Sequence, residues 1–123
     1  MEKYYTPTIE EFHVGFEYEI SNSESTWNKR TIRHGADIDE IRHNRIYPIR
    51  VKYLDQQDIE AEGWIKQYTS ADGTEGFSVS GYKLEIKRTR VTIYPLNKTS
   101  MFVGEIRNRS ELHRIMRQIG IKP

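Results

Sequence analysis

The sequence predicts an α+β fold, in which one antiparallel sheet of about five to seven strands, open or strongly curled, is combined with one short internal helix and a C-terminal amphipathic helix. Near the start of the chain, apolar and polar residues alternate with the period of a strand that has one buried face. Glycine-containing turn pairs divide the second half into short segments. A stripe of apolar residues at helical spacing lies close to the end.

The first predicted strand covers residues 12–20, where every second residue is apolar. These apolar residues are Phe12, Val14, Phe16, Tyr18 and Ile20. A second strand is predicted at residues 49–53, which alternate apolar and basic side chains. The charged stretch 27–44 between them is weakly patterned, and only a short strand at residues 30–33 is expected in it.

The second half of the chain reads as a series of strands and turns. Asp72-Gly73 is a typical hairpin turn pair. At Ser80-Gly81 the apolar positions change from odd to even numbers, which indicates a β-bulge or a strand break. The strands are predicted at residues 65–68, 77–79, 82–86, 91–93 and 101–106, with a turn at 95–98.

Two segments carry the signals that start and stop a helix. In residues 54–64, Asp55 fits the N-cap and Gly63 fits the left-handed position after the last turn. Near the C-terminus, Asn108 fits the N-cap and Gly120 the corresponding end. The apolar stripe of this second helix, predicted to face the sheet, consists of Leu112, Ile115, Met116 and Ile119.

Length and composition limit the class of protein. The 123 residues fit one domain, so residues 1–123 are predicted to form a single domain. Cysteine is absent, which excludes disulfides, thiolate nucleophiles and cysteine-based zinc sites. Since no apolar run is long enough for a membrane helix and the start lacks a secretory signal, we expect no membrane partner and a protein that stays where it is made.

Charge is distributed unevenly along the chain. Residues 1–62 carry 8 Lys/Arg and 13 Asp/Glu, whereas residues 63–123 carry 11 and 5, within a net charge of +1. Such an asymmetry marks a basic binding face or head-to-tail self-association, or it disappears when folding interleaves the two sets of charges.

No catalytic or cofactor motif is present. His34 and His43 flank two aspartates, but their spacing matches no familiar metal-ligand pattern and neighbouring arginines oppose a cation. His13, Glu17 and Glu19 share the polar face of the first strand, where charges ordinarily pair across strands with residues such as Arg50 and Lys52. We therefore predict no catalytic residue, no metal, no cofactor and no enzymatic activity.

Basic residues of the C-terminal half form a candidate binding surface. They can follow a phosphate backbone, or they can simply keep the surface soluble and complement the helix dipole. The candidates are Arg88, Arg90, Arg107, Arg109, His113, Arg114 and Arg117.

Three segments together make up roughly a third of the chain: residues 4–19 (YYTPTIEEFHVGFEYE), 50–64 (RVKYLDQQDIEAEGW) and 104–112 (GEIRNRSEL). These segments resemble a family of small uncharacterised proteins encoded by phages and prophages of gut bacteria. The resemblance implies a phage-type accessory protein that acts in the cytoplasm of the bacterial host. It assigns no catalytic or binding residue.

The leading functional prediction is a non-enzymatic binding module that acts on a host protein or a small ligand. The alternative is a nucleic-acid-binding protein that uses the basic C-terminal half, with an affinity that falls steeply as salt rises. The sequence names neither the partner nor the oligomeric state.

Overall fold

The computed structural model describes residues 3–21, 26–43, 47–96 and 102–122. These residues form nine strands, three α-helices and one 3-10 helix, which confirms the α+β prediction. In chain order the elements are β1 (Tyr4–Tyr5), the 3-10 helix (Ile9–Glu11), β2 (Glu17–Ser21), β3 (Trp27–Thr31), α1 (Gly35–His43), β4 (Ile49–Lys52), α2 (Gln56–Ala61), β5 (Ile65–Thr69), β6 (Glu75–Val79), β7 (Tyr82–Lys87), β8 (Arg90–Pro95), β9 (Phe102–Glu105) and α3 (Arg109–Ile119).

The chain divides into two compact units, residues 1–53 and residues 54–123. The first contains a four-stranded antiparallel sheet in the order β1-β4-β2-β3, and the second a five-stranded antiparallel sheet in which β5 to β9 follow one another in chain order. The described strands thus form two sheets where the sequence suggested one, and α1 is a second internal helix. The prediction that residues 1–123 form a single domain stays a prediction.

The first predicted strand begins later than its apolar pattern suggests. Val14 is 62% exposed, and β2 starts only at Glu17. Gly15 has a φ of +95°, its N–H donates to the Ile32 carbonyl at 2.7 Å, and the Ile32 N–H donates to the Phe16 carbonyl at 2.9 Å. Two residues therefore face one on the partner strand, which is the geometry of a glycine bulge. The prediction of a continuous strand from residue 12 is wrong, because the bulge interrupts the alternation.

Helix α1 lies in the weakly patterned stretch 27–44, in which the sequence predicts only a short strand at residues 30–33. The strand is β3, which ends at Thr31, and the helix begins four residues later. A carboxylate oxygen of Asp37 accepts hydrogen bonds from the backbone N–H groups of Arg33 at 2.8 Å and His34 at 3.2 Å. The helix start is therefore capped from inside its first turn and not by a preceding Ser, Thr, Asp or Asn, so the usual signal is missing.

One arginine connects the four strands of the first sheet. The guanidinium of Arg50, on β4, lies 3.7 Å from the ring centroid of Tyr4 on β1 and 4.1 Å from that of Trp27 on β3. It also donates to Glu19 on β2 at 2.7 and 2.8 Å. The predicted pairing of Glu19 with Arg50 across strands is thereby confirmed. Two guanidinium nitrogens donate to the same oxygen of Glu19 while the planar group stacks on the rings, a combination that a lysine cannot make.

Both helices of the second unit have the predicted caps. Asp55 accepts from the Asp58 N–H at 2.9 Å, and Gly63 has a φ of +100°. The Trp64 N–H then donates to the Ile59 carbonyl at 3.4 Å, which completes the C-terminal motif of α2. At α3, Asn108 accepts from the Glu111 N–H at 2.9 Å, and the C-cap Gly120 has a φ of +91°.

The core of the second unit lies between α2, α3 and one face of the five-stranded sheet. Leu112 and Met116 of the predicted stripe are buried in this core, and Ile115 and Ile119 are partly buried and pack against it. The change of phase at residue 80 is a two-residue hairpin, because Val79 pairs with Tyr82 across Ser80 and Gly81. Part of the predicted 95–98 turn and the start of the predicted 101–106 strand lie outside the described residues. Other buried members of this core are Leu54, Ile59, Trp64, Phe77, Val79, Leu84, Ile86, Val91, Ile93, Ile106 and Ile121.

Candidate binding face of the second sheet

The face of the second sheet opposite to its two helices is polar, and we call it the outer face. Strand alternation places it: Leu84 and Ile86 of β7 point into the core, so Lys83, Glu85 and Lys87 point outward. The register aligns one residue from each strand across the outer face, in the order Tyr68, Gly76, Glu85, Thr92 and Val103.

Two tyrosines hold one carboxylate at the middle of the outer face. The Tyr68 hydroxyl donates to one oxygen of Glu85 at 2.6 Å, and the Tyr94 hydroxyl donates to the other at 2.7 Å. The Lys83 ammonium lies 4.8 Å from the centroid of the Tyr68 ring. Because the three residues of the hydrogen-bonded set come from β5, β7 and β8, the set fixes the outer face across most of its width.

A glycine makes room for this arrangement. Tyr68 pairs with Gly76 on the neighbouring strand, and its ring lies over the glycine. A Cβ atom at position 76 would lie 2.2 Å from Cε1 of Tyr68, well inside van der Waals contact. The missing side chain is therefore what lets the tyrosine lie across β6 and reach Glu85 on β7.

The hydrogen bonds change the acidity of all three groups. The pKa of Tyr68 is raised to about 12, mainly by its hydrogen bond to Glu85 and secondly by burial. The pKa of Tyr94 is also raised to about 12, mainly by burial and secondly by its hydrogen bond to Glu85. The two hydroxyls lower the pKa of the Glu85 carboxyl, because they stabilise its charged form. At neutral pH the site is one carboxylate held by two neutral phenols.

We expect the outer face to lose this order in alkali. A tyrosine whose pKa rises from 10.0 to about 12 on folding contributes stability that is complete below pH 10 and is lost as the pH rises toward 12. Tyrosinate absorbance should show late-titrating groups among the eight tyrosines, including Tyr18, whose pKa is raised by burial. Glu85→Gln should move two of these groups, Tyr68 and Tyr94, to lower pH. Glu105→Gln, which removes a carboxylate that pairs with Arg107, is the control. Identical titration curves for wild type and Glu85→Gln would contradict the assignment.

A shallow recess of about 220 Å³ lies beside the tyrosine pair. Its lining is two cations, two hydroxyls and the held carboxylate: Thr74, Glu85, Lys87, Arg90 and Thr92. Register explains the grouping, since Lys87 pairs with Arg90 and Glu85 with Thr92 on adjacent strands. The recess offers positive charge and hydrogen-bonding groups side by side.

Three of the seven predicted surface residues lie at one end of this sheet. Arg88 is in the β7–β8 turn with a φ of +58°, and Arg90 begins β8. The Ile106 N–H donates to the Thr89 carbonyl at 2.9 Å, so Arg107, the next residue, comes beside this turn. The predicted surface is thus partly assembled here, and Lys87 adds a further cation.

The other four predicted residues lie on α3. The carboxylate of Glu62, which is only 10% exposed, accepts from Arg109 at 2.7 Å and from His113 at 2.6 Å. Burial raises the pKa of Glu62, but these two hydrogen bonds outweigh it and leave the pKa below its usual value. Arg114 and Arg117 are exposed on the same helix. Arg109 and His113 therefore have a structural role that joins α3 to the end of α2.

The charge asymmetry of the sequence is much smaller between the folded units. The first unit carries 8 Lys/Arg and 9 Asp/Glu, and the second carries 11 and 9. The boundary between the units falls before α2. The four carboxylates of α2 and its caps therefore belong to the same unit as the basic residues: Asp55, Asp58, Glu60 and Glu62. Folding interleaves the two sets of charges, which was one of the interpretations that the sequence left open.

The titratable groups considered in the first unit have local partners. Asp37 caps α1, and hydrogen bonds from the backbone of Arg33 and His34 lower its pKa. A ring nitrogen of His43 lies 2.8 Å from the Asp39 carbonyl, and one of His13 lies 3.0 Å from the Glu11 carbonyl. In the described parts of the chain, no three His, Asp or Glu side chains lie close enough together to hold a metal ion.

Sequence reasoning missed the residues at the centre of the outer face. Tyr68, Lys83, Glu85 and Thr92 were not candidates, although the odd positions of β7 do stand opposite its apolar even positions. That alternation shows which side chains share a face, but the meeting of Tyr68 with Glu85 depends on the register of three strands.

Comparisons with known proteins supply no family. No protein-family model matches the chain, no curated protein matches it, and no solved structure matches it. None of the helices within residues 3–21, 26–43, 47–96 and 102–122 has the length and apolar character needed to cross a bilayer.

Proposed function

We propose that the chain is a non-enzymatic binding module whose ligand-contacting surface is the outer face of the second sheet. Of the two partner classes that the sequence leaves open, a host protein and a small ligand, the geometry favours a small ligand. The observation that carries this choice is the recess beside Glu85, where two cations and two hydroxyls converge at the edge of a carboxylate held by two tyrosines.

Preorganisation supports a binding role for this surface. Binding is stronger when the groups that contact a ligand are already ordered, since less conformational entropy is lost on association. Both oxygens of Glu85 accept a hydroxyl donor. The ring of Tyr68 lies over Gly76, and the Lys83 ammonium lies over the ring. The recess is smaller than a drug-sized pocket of roughly 300 Å³ or more, so the proposed ligand is small.

The biological setting of the proposal comes from the family resemblance alone. A phage-type accessory protein would act in the cytoplasm of the bacterial host and would meet host metabolites and host proteins there. The absence of catalytic motifs in the sequence supports a protein that binds its ligand without converting it.

Nucleic-acid binding is the second candidate, and one observation favours it. Lys87, Arg88, Arg90 and Arg107 gather at one end of the second sheet, where they could contact successive phosphates. Against it, Arg109 and His113 are bound to Glu62, and Arg107 lies 3.6 Å from Glu105.

Amide chemical shifts followed during titration decide between the candidates. Small anionic, neutral and cationic metabolites are added first, and then single- and double-stranded oligonucleotides at two salt concentrations. The proposal expects a small metabolite to shift amides of β7 and β8 around the recess, and the double variant Arg88→Gln/Arg107→Gln should keep this binding. Oligonucleotide binding that falls with salt and is lost in this variant would establish the second candidate instead.

A further inference from the structure

We infer that the recess on the outer face binds the phosphate group of a small hydroxylated phosphomonoester, such as a sugar phosphate. This inference rests on the proposed function and names its ligand class. It follows from the charges around the recess, from the hydrogen-bonding groups that line it and from its size.

One cation beside the recess, Arg90, has no carboxylate within ion-pair distance among the described residues. Asp72 accepts from the Thr74 N–H at 3.0 Å and lies 3.7 Å from Lys87, and Glu105 lies 3.6 Å from Arg107. Both oxygens of Glu85 accept tyrosine hydroxyls. Each nearby carboxylate therefore has its own partner. Arg90 is exposed. Glu105 lies opposite it on β9, but no acidic group in the described parts of the chain lies within ion-pair distance of Arg90.

A phosphate group suits this surplus better than a carboxylate does. The guanidinium of Arg90 can donate two parallel hydrogen bonds to phosphate oxygens, and Lys87, opposite it on β7, supplies a second charge. A phosphomonoester has three terminal oxygens, and each can accept more than one hydrogen bond, so acceptor positions remain for the hydroxyl of Thr74 or Thr92 after the two cations are satisfied.

The remaining wall of the recess selects for hydroxyl groups. A carboxylate has about four acceptor positions, and the tyrosines use two of those on Glu85. The others can accept from ligand hydroxyls, whereas a bare anion would only be repelled by Glu85. The recess of about 220 Å³ is small and open at the surface, which favours a small phosphomonoester.

Isothermal titration with ribose 5-phosphate tests the inference, with ribose and inorganic phosphate as the comparison ligands. We expect ribose 5-phosphate to bind more tightly than either. Arg90→Gln should weaken it at least about tenfold, since a hydrogen bond to a charged group contributes on the order of 1.5 kcal/mol or more. Thr92→Val should weaken it less.

Arg88→Gln is the matched control, since it removes the same charge from the adjacent turn but does not line the recess. Equal losses in Arg88→Gln and Arg90→Gln would show diffuse electrostatic attraction and overturn the inference. Equal affinities for inorganic phosphate and ribose 5-phosphate would also overturn it, because the hydroxyl contacts to Glu85 would then contribute nothing.

The two levels of the proposal can fail separately. If ribose 5-phosphate does not bind while another small metabolite shifts the amides around the recess, the phosphomonoester inference is overturned and the binding face stands. If no small molecule perturbs the outer face, both fail. Binding of an oligonucleotide that Arg90→Gln and Arg88→Gln weaken equally would also overturn the inference and favour the nucleic-acid candidate.

Discussion

Replacing Trp64 by Ala is expected to lower the free energy of unfolding of the second unit by about 3 to 5 kcal/mol. Trp64 is 2% exposed, and its backbone N–H donates to the Ile59 carbonyl in the C-terminal motif of α2. Its ring nitrogen also donates to the sulfur of Met116 on α3 at 3.3 Å. Truncation would open a cavity at the point where both helices meet the core. Chemical denaturation followed by far-UV circular dichroism measures the loss.

Asp55→Ala is the comparison for this experiment, because it changes the same helix at its other end. It removes the capping hydrogen bond to the Asp58 N–H and should cost on the order of 1 kcal/mol. Comparing the losses of unfolding free energy in Trp64→Ala and Asp55→Ala therefore separates the contribution of core burial from that of helix capping. Equal and negligible effects of both changes would mean that α2 and its C-terminal motif do not stabilise the unit.

Elements with local signals could be predicted from the sequence. The start and end of α2 and α3 depend on residues within a few positions of each other, namely an N-cap side chain and a glycine in the left-handed conformation. The hairpin at Ser80-Gly81 has the same property, since the change of apolar phase and the turn occur at the same two residues.

Features that depend on distant residues could not be predicted. The bulge at Gly15 is defined by Ile32 on the neighbouring strand, so the apolar alternation from residue 12 gave no sign of it. Helix α1 has only Ile41 fully buried, too few apolar positions for a helical stripe to stand out. The division of the strands into two sheets is likewise a matter of pairing partners, which local alternation leaves undetermined.

The candidate site shows the same limit. Counting basic residues along the sequence correctly brought Arg88, Arg90 and Arg107 together, because they occupy adjoining strand ends and turns. It could not foresee that Glu62 would take two members of the set. Glu85 reads in sequence as an ordinary surface charge on β7, and only the register gives it two tyrosines as partners.

Replacing Gly76 by Ala is expected to displace Tyr68 from the outer face. The new methyl group would lie 2.2 Å from the tyrosine ring, so the ring must turn away and its hydrogen bond to Glu85 is lost. We expect a loss of stability of about 1 to 3 kcal/mol, the usual cost of overpacking a fitted contact. The pKa of Tyr68 should fall from about 12 toward its ordinary value of 10.0. Tyrosinate absorbance and chemical denaturation measure the two effects.

The same substitution in a Tyr68→Ala background separates the ring contact from any effect on the strand itself. Gly76 has no positive φ, so alanine fits its backbone conformation, and without the tyrosine ring the added methyl group should cost close to nothing. The coupling between the two positions then equals almost the whole effect of Gly76→Ala alone. A similar loss of stability in both backgrounds would show that the glycine serves β6 and not Tyr68. An unchanged titration of Tyr68 in Gly76→Ala would show that the ring keeps its bond to Glu85, and that the glycine is not what positions the tyrosine on the outer face.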